Sequence, residues 1–183
     1  MKPFAARYGR TPRSIAAPAP TPTVPTRVLG LDPGSVRTGW GVVERHGHTA
    51  RGIAAGVIRV SERAPLAERL EAVHRGVCAV LAEHRPDAVA IEEVFFARYA
   101  QAALVLGHAR GVAMLAAAQA GLAIATYPPT VVKRAVVGTG KAEKAQVAQL
   151  VGALLGWTEL PGPDATDALA IAITHLNVSR IGV

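Results

Sequence analysis

The chain has one cysteine, Cys78, so neither an intramolecular disulfide nor a cysteine-rich metal site can be built from it. Its setting, Gly76-Val77-Cys78-Ala79-Val80, reads as a helix interior in which Cys78 is a small core residue. Acidic side chains are missing from residues 1–26, where Lys2, Arg7, Arg10 and Arg13 supply +4 of the formal net charge of +7. The apolar stretch of this segment is interrupted at Pro18, Pro20, Pro22 and Pro25, which leaves no continuous hydrophobic region for export. No run elsewhere is expected to be long and unbroken enough to span a bilayer. The expectation is a soluble cytoplasmic protein with no membrane partner. No internal repeat is visible.

What remains is a chain of 183 residues, 50% hydrophobic, which fits one domain with a full core. Residues 1–26, rich in Pro, Ala, Thr and Arg, cannot bury enough surface to offset their ordering entropy and read as a disordered basic tail. The folded domain is expected over 27–180, with 181–183 as the C-terminal end. Beyond the tail, 16 basic and 13 acidic residues leave only +3, a modest nucleic-acid signature. Four of those acids are candidate metal ligands, however, and neutralising them would leave a basic surface around the site.

Hydrophobic periodicity predicts strands at 28–32, 38–44 and 51–60, joined by turns at Pro33-Gly34-Ser35 and Gly47, and so an antiparallel meander. A helix over 65–84, a strand at 88–92, a helix over 100–120 and a strand at 122–127 follow. Strand, helix, strand at this spacing gives a parallel pair. A short helix at 130–136, a glycine-containing loop, a helix over 142–155 and a last helix over 164–177 complete the chain. The predicted class is therefore α/β, with a five-stranded mixed sheet of three antiparallel and then two parallel strands flanked by helices.

Four carboxylates stand where apolar elements meet solvent. Asp32 and Glu92 each end an apolar strand, and Asp164 and Asp167 open an apolar helix. A carboxylate beside apolar strands carries a desolvation cost unless a cation or donor compensates it, so four converging there point to hard divalent cations. Two such ions with few protein ligands are the machinery of phosphodiester hydrolysis. Alternation puts Asp32 on one face with Gly30 and Val28, and Glu92 with Ala90 and Ala88. Both faces are small enough for close helix packing. Asp164, Asp167, Ala168, Ile171 and His175 form one stripe at i+3 and i+4 spacing that could dock there.

Local roles compete with this reading. Asp164, after Pro161-Gly162-Pro163, would serve as a helix N-cap with Asp167 at the third helical position, and for that pair alone capping is the preferred account. Asp32 could hold the Pro33-Gly34-Ser35 turn through an Asx-type bond. Glu92 has no turn to hold, and Glu93 points to the opposite face, solvated or paired. His46, His48, His74, His84 and His108 lack metal-ligand spacing, and His175 lies too far along its helix to be an evident ligand. Surface or capping roles are the expectation for all six.

Lys133 and Arg134 fall in the short helix, and Lys141 and Lys144 flank Gly138-Thr139-Gly140, an arrangement suited to contacting a phosphate backbone. Solvated lysines are the simpler account of the same pattern. Of Phe95 and Phe96, one is assigned to the core and the other to stacking on an unpaired base. The helix over 100–120 carries Gly107 and Gly111 among alanines, with Leu104, Leu106 and Met114. It is read as approaching either the sheet or, preferably, a second subunit.

Three blocks, Gly30-Leu31-Asp32-Pro33-Gly34-Ser35 with Thr38-Gly39-Trp40-Gly41-Val42, then Ile91-Glu92-Glu93-Val94-Phe95, then Asp164-Ala165-Thr166-Asp167-Ala168-Leu169-Ala170-Ile171-Ala172-Ile173-Thr174-His175, together resemble the RuvC family of Holliday-junction resolvases. The resemblance covers about residues 27–180. It implies an RNase H-like fold, a homodimer, and symmetric nicking of four-way DNA junctions with Mg2+ or Mn2+, two ions per site. It also implies Asp32, Glu92, Asp164 and Asp167 as catalytic and metal-binding acids, Phe95 as the stacking aromatic, and Lys133 and Lys144 as junction contacts. A branch-migration helicase complex (RuvA and RuvB) is an implied partner. The tail before residue 27 and Glu93 depart from the family's usual pattern. The competing classes are an actin-like, phosphate-binding ATPase, which would need a duplicated fold, and a junction-binding protein without catalysis.

Overall fold

The computed structural model describes residues 26–93 and 100–181; Phe95 and Phe96 lie outside them. The elements run in the order β1 (Arg27–Asp32), β2 (Arg37–His46), β3 (Thr49–Arg59), α1 (Leu66–His84), β4 (Ala88–Glu92), α2 (Ala100–Gln119), β5 (Ala123–Tyr127), α3 (Pro129–Val137), α4 (Lys144–Leu155) and α5 (Pro163–Ile181). The sheet order is β3-β2-β1-β4-β5. β1, β2 and β3 are antiparallel, whereas β4 runs parallel to both β1 and β5. The predicted class, three antiparallel and then two parallel strands in one mixed sheet, is the observed one, and the structure adds the strand order and the parallel β1–β4 pairing.

Side-chain alternation sorts the core into two layers. Leu29, Leu31, Val42, Val89 and Ile91 pack against α1 and α2 through Val73, Val77, Ala113 and Ala117. Val28, Val43 and Ala90 face the other way and meet α3, α4 and α5 through Val132, Val151, Leu169 and Ile171. β1 and β4 are central, and their apolar residues are fully buried on both faces, as near-continuous apolar strands require.

The placement of α5 rests on glycine. A Cβ on Gly30 would overlap the carbonyl oxygen of Ala168 and lie 2.8 Å from the Ala172 nitrogen. One on Gly39 would overlap the Asp164 carbonyl, and one on Gly41 would lie 2.7 Å from Leu169 Cγ. Helix backbone thus lies directly on sheet backbone along β1 and β2. Only the absence of side chains permits that distance.

Helix starts differ from expectation. α5 begins at Pro163, which is pre-organised for a first helical position, after Gly162 at φ 95°. Thr166 N–H bonds back to the Gly162 carbonyl at 3.0 Å. Asp164 and Asp167 therefore lie inside the helix, and the capping account of the pair is wrong. α4 begins at Lys144, two residues later than expected, because Glu143 and Gln146 form a reciprocal capping box. Asp32 does not hold the β1–β2 turn either. The buried Thr38 hydroxyl donates to the Gly34 carbonyl at 2.8 Å and accepts from its N–H at 3.3 Å.

α2 corrects one expectation and removes one of two alternatives. It is 20 residues long with a mean hydropathy of 1.2, enough to cross a membrane by length and composition. Its abundant alanine is the reason, and Ala109, Ala113, Ala116 and Ala117 are the buried face. Among the described residues, nothing lies near the Cβ positions of Gly107 and Gly111, so they do not serve approach to the sheet.

Replacing Gly30 with Ala is expected to lower stability by at least about 2 kcal/mol, since the added methyl meets backbone that cannot rotate away. Urea denaturation measures this; an unchanged midpoint would mean that α5 is not seated on β1.

Candidate active site

β1 and β4 are parallel neighbours, so Asp32 and Glu92 emerge together at their carboxyl ends. α5 crosses the same end and adds Asp167. These three acids line an open cleft of about 390 Å3 with Lys133, Lys144, Pro129, Val132, Val147 and Ala170. Asp164 stands at its margin. It faces Arg37 at 3.8 Å and is still close enough to act electrostatically on Asp32.

The cleft is short of positive charge. Burial, then the negative charges of Asp167 and Asp164, push Asp32 up to about 6, against a lowering by Lys144. Burial, then Asp32 and Asp167, push Glu92 up to about 7, against lowering by Lys144 and Lys133. Lys144 donates to Asp167 Oδ2 at 2.7 Å, and that bond raises its own affinity for a proton. Carboxylates raised by mutual repulsion and desolvation are what a divalent cation would stabilise.

As placed, no three His, Cys, Asp or Glu side chains among the described residues form a closed metal-binding group. The Lys144 ammonium engages Asp167 instead. The donor chemistry nevertheless fits. Asp32, Glu92 and Asp167 present hard oxygens to a wet, open space, which suits an ion such as Mg2+ that retains water. Those three residues would hold metal, with Asp164 adjoining.

The other expected contacts separate. Lys133 and Lys144 line the cleft, whereas Arg134 and Lys141 are exposed outside its lining. Glu93 accepts from the Thr126 hydroxyl at 3.1 Å, as its opposite orientation suggests. His175 is neither a surface nor a capping residue: its Nδ1 lies 2.7 Å from the Tyr127 hydroxyl. Its position on the Asp164–Asp167 stripe was the available signal. Tyr127 gave none, because its importance arises from pairing with Glu92 across β4 and β5.

A five-stranded mixed sheet in this order, helices on both faces and acids at the carboxyl ends of its central strands define an RNase H-like nuclease. The chain belongs to the RuvC family: the family model described as crossover junction endodeoxyribonuclease RuvC matches residues 28–175. It is 52% identical over 149 residues to crossover junction endodeoxyribonuclease RuvC of Azorhizobium caulinodans, covering 81% of this chain and 88% of that one. The Caulobacter vibrioides RuvC is 50% identical over 155 residues, covering 85% and 92%. Among solved structures, T. thermophilus RuvC in complex with a Holliday junction substrate aligns with a TM-score of 0.82 at 42% identity, covering 86% of this chain and 96% of that one. The yeast mitochondrial Holliday junction resolvase Ydc2 aligns with a TM-score of 0.66 at 12% identity, over 87% of this chain and 82% of that one, a likeness of fold alone.

The raised carboxyls also govern stability. A carboxyl whose folded pKa lies above its unfolded value adds stability at low pH. That contribution is fully present below about pH 4 and is lost as pH rises through 6 for Asp32 and 7 for Glu92. Asp32→Asn is therefore expected to stabilise metal-free protein at pH 8 by about 1–2 kcal/mol, discounted for partial exposure, with no gain at pH 4. Urea melts at the two pH values in chelator test this, and equal effects at both would contradict it.

Proposed function

We propose that this protein resolves four-way DNA junctions by paired, symmetric, metal-dependent nicks, leaving 5′-phosphate and 3′-hydroxyl ends. The observation that carries the reading is the cleft where Asp32, Glu92 and Asp167 meet under Lys133 and Lys144. Mg2+ or Mn2+, two ions per site, would supply water activation and charge stabilisation for phosphodiester hydrolysis. The protein's own residues do the rest. Asp32 and Glu92, fixed on strand ends, and Asp167, fixed on α5, hold the ions, while Asp164 adds negative charge at the margin.

Lys133 and Lys144 orient the scissile strand by its phosphates, which carry no sequence information in themselves. Arg134 and Lys141 extend that basic surface away from the cleft. Phe95 is assigned to stacking on an unpaired base. Residues 1–26 are assigned no essential part in binding.

A junction must be cut on two strands of like polarity, and the described residues of one chain form one carboxylate cleft, so a C2 dimer matches the substrate's symmetry. The outer face of α2 supports that assembly. Leu104 and Leu115 are 61% and 51% exposed, and Gly107 and Gly111 are open to close approach. Exposed leucines beside open glycines on one helix are consistent with a face that a second subunit would cover.

The direct test incubates protein with a synthetic four-way junction and with matched linear duplex, with and without Mg2+ or Mn2+. Cleavage of the junction alone, and only with metal, is expected. Binding without cleavage would instead identify a junction-recognition protein that lacks catalysis.

Two sets of substitutions separate chemistry from binding. Asp32→Asn, Glu92→Gln and Asp167→Asn are expected to abolish cleavage while retaining junction affinity; near-normal cleavage removes that residue from the mechanism. Lys133→Ala and Lys144→Ala are expected to weaken binding and each lower the log–log salt slope by about one unit. Deleting residues 1–26 is expected to matter less than the two lysine changes combined, as read by the same binding titrations.

Gly107→Leu or Gly111→Leu has room in the monomer and is expected to yield folded monomers that bind junctions poorly and lose coordinated nicking. Sedimentation on junction DNA checks this, and a wild-type monomer there would exclude the dimer.

A further inference from the structure

We infer that Tyr127 and His175 form a positioning pair that sets the distance across the cleft between Glu92 and Asp167. This inference rests on the metal-site reading above and adds two residues to it.

The glycine contacts that seat α5 lie on β1 and β2, at Gly30, Gly39 and Gly41. They register the helix against the half of the sheet that carries Asp32. Glu92 is on β4, where the residues facing α5 are small: Ala90 there and Ala125 on β5. Small apolar contacts exclude water but do not fix a sliding register as a directional bond does. Among the described residues, the side-chain hydrogen bond that joins α5 to the β4–β5 half of the sheet is Tyr127 to His175, at 2.7 Å.

Both ends of this bond lead straight to a cleft carboxylate. Tyr127 is the register partner of Glu92 in the parallel β4–β5 pair, and the Glu93 N–H donates to the Tyr127 carbonyl at 2.9 Å. Neighbouring partners in a parallel pair point to the same face, so the phenol stands beside Glu92 and reaches towards α5. His175 lies on the same helical stripe as Asp167, eight residues on, about two turns of rigid helix. A shift of the His175 end therefore moves Asp167 relative to Glu92.

The pair is built to be neutral. Burial pushes the Tyr127 phenol up, while burial and the nearby Arg45 push the His175 imidazole down. With both groups neutral, a single hydrogen bond joins the phenol oxygen and Nδ1. Tyr127 is 9% exposed and its ring lies 5.9 Å from that of the half-buried His175, so the phenol cannot swing out without opening the core.

Outer-shell hydrogen bonds that orient metal ligands typically alter metal affinity about 10–100-fold when removed. Tyr127→Phe deletes only the hydroxyl. The expected result is a thermal midpoint lowered by only a few degrees and unchanged junction affinity in chelator. The Mn2+ concentration for half-maximal cleavage should rise roughly tenfold, and Mn2+ binding to DNA-free protein, followed by electron paramagnetic resonance, should weaken in parallel. His175→Leu should do the same. His175→Asn, which returns a hydrogen-bonding group near the Nδ1 position, should recover much of the loss.

Wild-type metal affinity in Tyr127→Phe, measured on protein that cleaves normally when wild type, would overturn the inference and leave the metal site intact. So would a loss of stability alone, or equal impairment in His175→Asn and His175→Leu. Failure of the wild-type protein to bind Mn2+ would instead overturn the metal-site reading.

Discussion

The contact of one helix backbone with one sheet backbone determines the rest of this structure. Gly30 and Gly39 let α5 approach until its carbonyl oxygens occupy the space that a Cβ would need. That proximity brings Asp167, from the far end of the sequence, over the strand ends that carry Asp32 and Glu92. Bulkier residues on β1 and β2 would lift the helix by a side-chain layer and separate the acids beyond the reach of shared ions. The glycines and the acids are thus one device, even though only the acids bear chemistry.

The concentration of charge that follows is energetically unfavourable in the protein alone. Asp32 and Glu92 are both held well above ordinary carboxyl values, first by burial and then by neighbouring carboxylates: Asp167 and Asp164 for Asp32, and Asp32 and Asp167 for Glu92. Lys144, bonded to Asp167, supplies part of the missing positive charge, and Lys133 a smaller part. The same lysines form the rim that a phosphodiester must pass. A cation that stabilises an acid in the free protein can turn to a phosphate once the acids are otherwise neutralised, so metal loading and substrate capture draw on one set of charges.

Much of this was legible in the chain. Period-two alternation over β1 and β4 placed Asp32 and Glu92 on small-residue faces, and the i+3, i+4 stripe of α5 placed Asp167 opposite them. The division into an antiparallel and a parallel half followed from hydrophobic periodicity and the lengths of the connections. Capping was misassigned because Asp164 and Asp167 after a proline pair satisfy the cap pattern. Pro163 at the first helical position decides against it, and its effect depends on the Gly162 backbone at positive φ. The Tyr127–His175 bond was not legible, because it joins residues 48 apart through strand pairing that local patterns do not encode. α2 was ambiguous for a related reason: alanine at many positions hides which face is buried, and only the packed structure separates Ala109 and Ala113 from Leu104 and Leu115.

The central claim is that the close seating of α5 builds a charge-deficient carboxylate cleft completed by divalent cations. Anomalous diffraction at the manganese edge from crystals grown with Mn2+ tests it most directly. The account predicts peaks in the cleft within bonding distance of Asp32, Glu92 and Asp167, with the Lys144 ammonium withdrawn from Asp167. Manganese bound elsewhere, or an empty cleft with Lys144 still on Asp167 at saturating Mn2+, would contradict it.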